Sequence, residues 1–217
     1  MGLSVRVRRI GGHRDRRASY HRVRSLSPPA RGARGMGTGE SRGPGGWRWY
    51  GVERPPFADE PGPGEESVWD YPRPPRLEVD PRRVLVKIGE TVIADTTRAV
   101  RILETASPPT FYLPRADVNT ELLHAVGGQS YCEWKGSAAY WRVRTPEGEQ
   151  VEQAAWSYPQ PSHAFEMIRD HVSFYPGRVE CFVDDERVRP QAGGFYGGWI
   201  TDEVVGPFKG DPGAGGW

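Results

Sequence analysis

Short apolar runs bounded by turn residues recur through the middle of the chain, and this pattern is typical of β-strands. Residues 83–88 (RVLVKI) predict one strand, residues 89–90 (GE) a two-residue turn, and residues 91–95 (TVIAD) the returning strand of a hairpin. A third strand is expected over residues 98–104. The two prolines at residues 108–109 should then break the chain, because proline cannot donate to a β-ladder.

The next strongest pattern is a longer hairpin. Residues 131–145 predict a strand bent at Gly136, and residues 146–148 (PEG) predict a turn. Residues 150–156 return as the second strand, and the prolines in residues 158–161 (YPQP) end it. This hairpin concentrates aromatic residues around a lysine and is the first place to look for a site.

The remaining elements are short. Residues 110–113 (TFYL), 172–175 and 178–183 predict strands, and two helices are expected. Asp117 caps the first helix, which reaches about His124. Ser162 caps the second, which reaches about His171. Together these elements predict a mainly β fold: a small antiparallel β domain with one or two short helices.

Composition divides the chain into four parts. Residues 1–36 form an Arg-rich leader, and residues 37–76 a Gly/Pro-rich lead-in whose dispersed aromatic residues are expected to pin it onto the following domain. The β domain spans residues 77–190, and residues 191–217 form a Gly- and aromatic-rich tail. The high Gly and Pro content predicts that the flanking parts are disordered or extended.

The leader has an unusual charge. Residues 1–36 carry ten arginines and one acid, a net charge of +9, so the rest carries −8 against +1 for the whole chain. A basic arm, a transit peptide and a disordered segment all fit this leader, and the native protein could begin at Met36. The acidic remainder does not predict a nucleic-acid surface.

The two cysteines, Cys132 and Cys181, lie far apart and neither belongs to a CxxC pair, so they do not predict a zinc site. We expect two buried thiols in a cytoplasmic protein, and no bound metal or cofactor. No apolar run approaches the roughly 20 residues that cross a bilayer, so no membrane partner is expected.

Several motifs together resemble one family. They are, in chain order, YLP at residues 112–114 ahead of Asp117-Val118, CEWKGSAAY at 132–140, AWSYP at 155–159, VSFY at 172–175 and VDDE at 183–186. Their order and spacing resemble the bacterial domain of unknown function 427 family (DUF427) over about residues 80–190, half of the chain. The C-terminal stretch GGFYGGWITDEVVGPFKGDPG is also similar to the tail of actinobacterial members.

This resemblance implies a small β domain similar to the β-tent folds, whose relatives include zinc-binding ligand readers and methionine sulfoxide reductases. It implies no settled activity, although some members carry a nucleotidyltransferase label. The paired CxxC knuckles of the relatives are missing here, so metal binding does not carry over. A nucleotidyltransferase also needs a D-x-D pair after its Gly-Ser loop. No such pair follows Gly136-Ser137, and we do not expect that activity.

Two interpretations stay open for the residues of the central hairpin. Lys135, beside Gly136, either holds a phosphate, carboxylate or carbonyl oxygen, or is a surface lysine whose stem packs on a neighbour. Trp156 and Tyr158 lie two apart and project to one face, where with Tyr112 they either clasp a flat or cationic ligand or fill the core.

Other candidates also have two interpretations each. Cys132, three residues before Lys135, is either a nucleophile activated by the ammonium or a structural thiol. Asp95 either closes a turn or pairs with Arg98 at the rim of a pocket. Three aromatic residues of the tail either cover the site as a lid or anchor the tail to the sheet: Phe195, Tyr196 and Trp199.

These residues lead to a main hypothesis and an alternative. We expect a binding module for a small ligand with a planar or anionic part. Its expected ligand-binding residues are Tyr112, Lys135, Tyr140, Trp156, Tyr158, Asp95 and Arg98. The alternative is an enzyme in which Cys132 or Lys135 is the reacting group.

Overall fold

A computed structural model describes residues 47–213 of the chain. The strands are β1 (Glu66–Ser67), β2 (Arg76–Asp80), β3 (Val84–Ile88), β4 (Thr91–Thr96), β5 (Ala99–Glu104), β6 (Ser107–Pro114), β7 (Leu123–Cys132), β8 (Gly136–Arg144), β9 (Gln150–Ser157), β10 (His171–Phe174), β11 (Glu180–Val183), β12 (Glu186–Arg187), β13 (Arg189–Pro190), β14 (Trp199–Ile200) and β15 (Val204–Val205). Short 3-10 helices lie at Val68–Asp70, Arg115–Asp117, Thr120–Leu122 and His163–Ile168. The predicted leader, residues 1–36, lies outside the described residues, as do the beginning of the lead-in and the last four residues of the tail.

Two sheets dominate the fold. One has seven strands in the order β2-β5-β6-β10-β9-β8-β7, and the other has four in the order β12-β11-β3-β4. Every pairing within both sheets is antiparallel. The predicted mainly β, antiparallel fold with short helices is therefore confirmed. Among the described residues, no helix combines the length and the apolar character that a bilayer-spanning segment needs.

The two sheets share one apolar core. Because alternate residues of a strand point to the same side, Phe111, Leu113 and Phe174 of the seven-stranded sheet all enter this core, and none is more than 1% exposed. Val84 and Val86 of the four-stranded sheet meet them there. Full burial of such side chains contributes roughly 1.5–3 kcal/mol each. We call this side of the seven-stranded sheet the inner face.

The opposite side, which we call the outer face, carries the intervening residues. Across five adjacent strands, Val100 pairs with Tyr112, Ser173 with Trp156, and Trp156 with Tyr140. Residues directly opposite each other in a sheet point to the same side, so these side chains form a row. Most of the row is aromatic and carries hydroxyl or N–H groups.

The segments before and after the two sheets pack on each other. Trp69, which is 0% exposed, lies in a third cluster with Leu103 of β5 and Val204 of β15. Its indole Nε1 donates a hydrogen bond to the Pro207 carbonyl oxygen at 3.2 Å. Segments that precede and follow the two sheets in the chain thus pack together against β5 of the seven-stranded sheet.

Both predicted hairpins are present. Strands β3 and β4 pair on either side of residues 89–90, and β8 pairs with β9 around residues 145–149. In the second turn Gly148 adopts a φ of +92°, which favours glycine, and its N–H donates to the Thr145 carbonyl oxygen at 3.0 Å. The turn residues therefore set both hairpins as the sequence predicts.

The break predicted at Pro108 and Pro109 is wrong, because both residues lie inside β6. Strand β6 pairs with β10 only near its end, at Leu113 and Pro114, and its register against β5 shifts opposite the two prolines. The two prolines, which lack an N–H group, therefore lie where β6 makes no regular backbone hydrogen bonds to its neighbours, as is usual for prolines within sheets.

The helix predicted from Asp117 to about His124 is also wrong. Two 3-10 helices occupy this stretch, and β7 already begins at Leu123. The N–H of Asn119 donates to the carbonyl oxygen of Ile93 in β4 at 2.7 Å. Pairing with the neighbouring sheets therefore takes the backbone groups that a helix would have used.

Two further boundaries differ from the prediction. The helix expected at residues 162–171 is a 3-10 helix, His163–Ile168, and Ser162 does not cap it. Residues 131–145 are not one bent strand: Cys132 ends β7 and pairs with Gly136, the first residue of β8. Gly136 has a φ of +96°, so the chain reverses between these two residues instead of bending.

Candidate functional site

A cavity of about 400 Å³ opens on the outer face. The sheet contributes Tyr112, Tyr140 and Trp156 to its lining, and the turn between β7 and β8 contributes Lys135. The C-terminal segment contributes Tyr196. Pockets for small molecules have volumes of roughly 300–1,000 Å³ and are lined mainly by apolar and aromatic side chains with a few polar groups. This cavity has that size and that character.

One wall of the cavity is a contiguous aromatic cluster. The ring centroids of Tyr112 and Trp156 lie 6.2 Å apart at an interplanar angle of 84°, and those of Trp156 and Tyr175 lie 4.3 Å apart. Trp156 Nε1 donates a hydrogen bond to the Tyr112 hydroxyl at 3.2 Å. Tyr112, Trp156 and Tyr158 are 1%, 6% and 6% exposed, so they fill a core cluster and line the cavity at once. The two interpretations of these residues are thus compatible.

The phenol groups of this wall are neutral at physiological pH. Burial raises the pKa of Tyr112 and of Tyr158 far above the usual value of a phenol. Burial also raises the pKa of Tyr175 to about 12. Each hydroxyl therefore keeps its proton, and those that face the cavity can donate it in a hydrogen bond.

The turn that carries Lys135 is held in place by the segment after β9. The N–H of Ser162 donates to the Lys135 carbonyl oxygen at 3.2 Å, and the Ser162 hydroxyl donates to the Trp134 carbonyl oxygen at 2.5 Å. A side chain at Gly136 would be strained by the positive φ, and its Cβ would lie 3.4 Å from the Gln160 carbonyl oxygen. These contacts fix the backbone from which Lys135 enters the cavity.

The ammonium group of Lys135 is the most unusual feature of the cavity. The residue is only 9% exposed, and its Nζ lies 5.7 Å from the ring centroid of Tyr158. Within residues 47–213, no carboxylate lies within ion-pairing distance of this Nζ, and no hydrogen-bond acceptor contacts it. A lysine residue with so little exposed surface normally has an ionic or hydrogen-bonding partner. Lys135 is thus a cation of the cavity lining that has no anionic partner among residues 47–213.

The acidic residues of the cavity are already engaged. Arg73 Nη1 binds the Glu104 carboxylate at 2.5 Å, and Arg73 Nη2 binds the Glu133 carboxylate at 2.6 Å. The Arg73 guanidinium also lies 4.2 Å from the ring centroid of Trp47 and 5.5 Å from that of Trp134. Both carboxylates are therefore turned towards Arg73, and Lys135 stays without a counter-ion.

Cys132 also lines the cavity as a partly exposed free thiol, so the expectation of two buried thiols is wrong for Cys132. Cys181 is buried, and burial raises the pKa of its thiol well above its usual value. Within the described chain, no hydrogen-bond partner lies within reach of Cys132 Sγ. The phenols close enough to interact electrostatically with Cys132 are those of Tyr112 and Tyr158, whose raised pKa values make them unsuitable as bases. No described residue is therefore hydrogen-bonded to Cys132 Sγ as a general base would be.

Asp95 and Arg98 lie away from this cavity, and the predicted pair between them is wrong. The Asp95 carboxylate binds the Arg83 guanidinium at 2.6 and 2.9 Å, and Arg98 binds Asp117 at 2.5 and 3.2 Å. Asp95 and Arg98 are neighbours in sequence, but each finds its partner on another segment of the fold.

The two interpretations of the tail aromatics apply to different residues. Trp199 is 0% exposed, stacks on Phe111 with ring centroids 5.0 Å apart, and donates a hydrogen bond from Nε1 to the Phe174 carbonyl oxygen. It therefore anchors the tail. Phe195 and Tyr196 are 67% and 39% exposed and line the cavity, where a lid would lie.

Sequence patterns did not identify several of the residues that line the cavity. Arg73 comes from the lead-in, and Gln191 and Lys209 come from the tail. The Gln191 side chain accepts a hydrogen bond from the Gly198 N–H and donates one to the Lys209 carbonyl oxygen, which closes the loop that carries Phe195 and Tyr196. No local motif marks these residues, because their place in the site depends on contacts between distant parts of the chain.

The fold and the cavity define a small two-sheet antiparallel β protein with a charged aromatic pocket on one face. The family model described as Domain of unknown function (DUF427) matches residues 76–185, and the chain belongs to this family. A comparison with curated proteins gives no match.

Proposed function

We propose that this chain is a small-molecule-binding module. Its ligand places a flat part against the aromatic wall and an anionic group at Lys135. The observation that carries this proposal is the Lys135 ammonium, which lines the cavity at 9% exposure without a carboxylate partner among residues 47–213. An anion bound there would form the charge-assisted hydrogen bonds that Lys135 lacks.

The charge of the cavity favours an anion over a cation. A cluster such as Tyr112, Trp156 and Tyr158 could in principle clasp a cation through its ring faces. A cation in this cavity would meet the Lys135 ammonium, and both lining carboxylates, Glu104 and Glu133, already bind Arg73. Repulsion from Lys135 therefore opposes the attraction of the rings for a cation.

The enzyme alternative receives less support. Cys132 and Lys135 line the same cavity, which is the arrangement that hypothesis needs. A reacting thiol also needs a base within hydrogen-bonding distance, and no described residue makes a hydrogen bond with Cys132 Sγ. We therefore favour binding without chemistry.

Two further expectations belong to this proposal. We propose that the module acts in the cytoplasm, which is supported by Cys132 and Cys181 both being free thiols. We also propose that it does not bind nucleic acid through its folded part, since residues 37–217 carry a net charge of −8.

The proposal is tested by thermal unfolding of the full chain with flat carboxylates and phosphates such as benzoate, indole carboxylate and adenosine monophosphate. A ligand at a hundredfold excess over its Kd stabilises the folded state by about 2.7 kcal/mol. At least one anion is expected to stabilise the parent chain, whereas matched flat amides and flat ammonium compounds are not.

The control is a second lysine next to an aromatic ring. Lys87 lies on β3 of the other sheet, with its Nζ 5.6 Å from the ring centroid of Phe182. Lys135→Met should abolish the stabilisation by the anion, and Lys87→Met should leave it unchanged. Stabilisation that survives Lys135→Met, or a flat cation that stabilises more than the matching anion, contradicts the proposal. So does the absence of stabilisation by any anion.

A further inference from the structure

The cavity holds a second lysine without a counter-ion. Three cations line it: Arg73, Lys135 and Lys209. Arg73 is paired with both lining carboxylates, Glu104 and Glu133. Within the described residues, Lys209 Nζ has no carboxylate within ion-pairing distance, as is also true of Lys135. The five charges that line the cavity sum to +1, and both lysines are without a direct carboxylate partner.

The position of Lys209 is fixed by the backbone on both sides. Its N–H donates to the Ala106 carbonyl oxygen at 2.7 Å, and its own carbonyl oxygen accepts from Gln191 Nε2 at 2.6 Å. Its Nζ lies 4.7 Å from the ring centroid of Tyr196 and 5.2 Å from that of Trp47. The rings hold the ammonium group beside the cavity without neutralising its charge.

The two ammonium groups belong to different parts of the site. Lys135 lies beside Tyr158, on the turn between β7 and β8. Lys209 lies beside Tyr196, on the C-terminal segment. Both line the same cavity of about 400 Å³, so one ligand can meet both.

The aromatic wall also lines this cavity, and the C-terminal segment packs closely against Trp156 in that wall. A methyl group on Gly197 would lie 2.1 Å from Trp156 Cη2, a distance no real contact allows, so the glycine permits this close approach. The ring centroids of Trp156 and Tyr175 lie 4.3 Å apart at an interplanar angle of 46°, and Tyr175 lines the cavity as well. A flat group is the shape that such a wall accepts best.

We propose that the ligand of this cavity carries two anionic groups on a flat apolar framework, one group bound by Lys135 and the other by Lys209. The inference rests on the proposed function and names its ligand class: flat dicarboxylates, or flat compounds with a carboxylate and a phosphate. Lys135 lies within the part that matches the family model, residues 76–185, and Lys209 lies beyond it. The second anion contact is therefore a property of the C-terminal segment.

The test compares compounds that differ by one carboxylate. Titration calorimetry on the full chain pairs terephthalate with benzoate, and biphenyl dicarboxylate with biphenyl monocarboxylate. At least one dicarboxylate should bind about tenfold more tightly than its monocarboxylate, which is the effect of one further charge-assisted contact. Lys209→Met should remove this advantage and change the affinity for the monocarboxylate by less than about twofold.

Three further variants complete the design. Lys209→Arg keeps the charge and should keep the advantage of the dicarboxylate. This variant distinguishes an effect of the positive charge from an effect on the structure of the C-terminal segment. Lys135→Met should weaken both compounds of a pair, and Lys87→Met neither. Equal affinity of the parent for both compounds, with both still dependent on Lys135, overturns the second contact and leaves the proposed function standing. If no compound binds the parent, both fail.

Discussion

The same strands build both faces of the seven-stranded sheet, but one face is a packed core and the other borders a cavity. On the inner face, Phe111 and Leu113 of β6 are buried in the core that this sheet shares with the four-stranded sheet. On the outer face, Tyr112 between them turns its hydroxyl to Trp156 beside a cavity of about 400 Å³. Alternation along one strand thus separates a closed core from a pocket.

The faces also differ in what covers them. A second sheet closes the inner face, whereas turns and the C-terminal segment cover the outer face and bring in Lys135 and Lys209. A core gains stability from dense apolar packing. The inner face has such packing, whereas the outer face borders a cavity whose two lysines have no carboxylate partner among the described residues.

The largest effect should come from the inner face. Phe111→Ala removes a ring that is 1% exposed and stacks on Trp199, so the free energy of unfolding should fall by about 3–5 kcal/mol. Urea unfolding measures this loss. Ligand affinity of the remaining folded protein should not change. A loss of affinity comparable to that of Lys135→Met would show that the two faces are not separate.

A smaller effect is expected from the hydrogen bond on the outer face. Tyr112→Phe leaves Trp156 Nε1 without its acceptor, and Trp156→Phe leaves the Tyr112 hydroxyl without its donor. Each change should lower the free energy of unfolding by about 1–3 kcal/mol. The double variant should lose less than the sum, because each single change already breaks the bond. Strict additivity in urea unfolding would mean that this hydrogen bond adds nothing.

The neutral phenols of the outer face predict a loss of stability in alkali. The pKa of Tyr175 is raised to about 12 from 10.0, so its neutral form favours the folded state. The stability it contributes is complete below pH 10 and is lost as the pH rises from 10 towards 12. Unfolding free energies across this range should fall with pH, and less steeply in Tyr175→Phe. An equal slope in both proteins would contradict the assignment.

The smallest effect should come from the residues that the sequence had placed at the rim. The Arg83–Asp95 pair is exposed, with 54% and 44% of the side chains accessible, so Asp95→Asn should cost less than about 1 kcal/mol. It should not change the affinity for any anion. A marked loss of affinity for an anion would contradict this prediction and would show that Asp95 contributes to the site.

Local patterns predicted much of this molecule. The β3–β4 and β8–β9 hairpins follow from short apolar runs around glycine-containing turns. The shared face of Trp156 and Tyr158 follows from their spacing along the chain, and both do lie in the outer cluster. These features depend on residues that are close in sequence, and local patterns therefore predict them.

The misses come from contacts between distant segments. Helix signals after Asp117 are outweighed by a backbone bond from Asn119 to Ile93 in another strand. Lys209 belongs to the cavity only because Ala106 and Gln191 hold its backbone there. Asp95 and Arg98 are opposite charges three positions apart, which suggested an ion pair, but each binds a residue of another segment. No local pattern encodes such contacts.

The most direct test of the central claim is the free energy of unfolding of Lys135→Met without ligand, measured beside Lys87→Met. If Lys135 has no stabilising partner until an anion binds, its replacement by an apolar side chain of similar length should leave stability equal or raise it by up to about 2 kcal/mol. The same variant should no longer bind flat anions. A fall of more than about 1 kcal/mol, with Lys87→Met unaffected, would show that Lys135 stabilises the fold and would contradict a site built for a ligand.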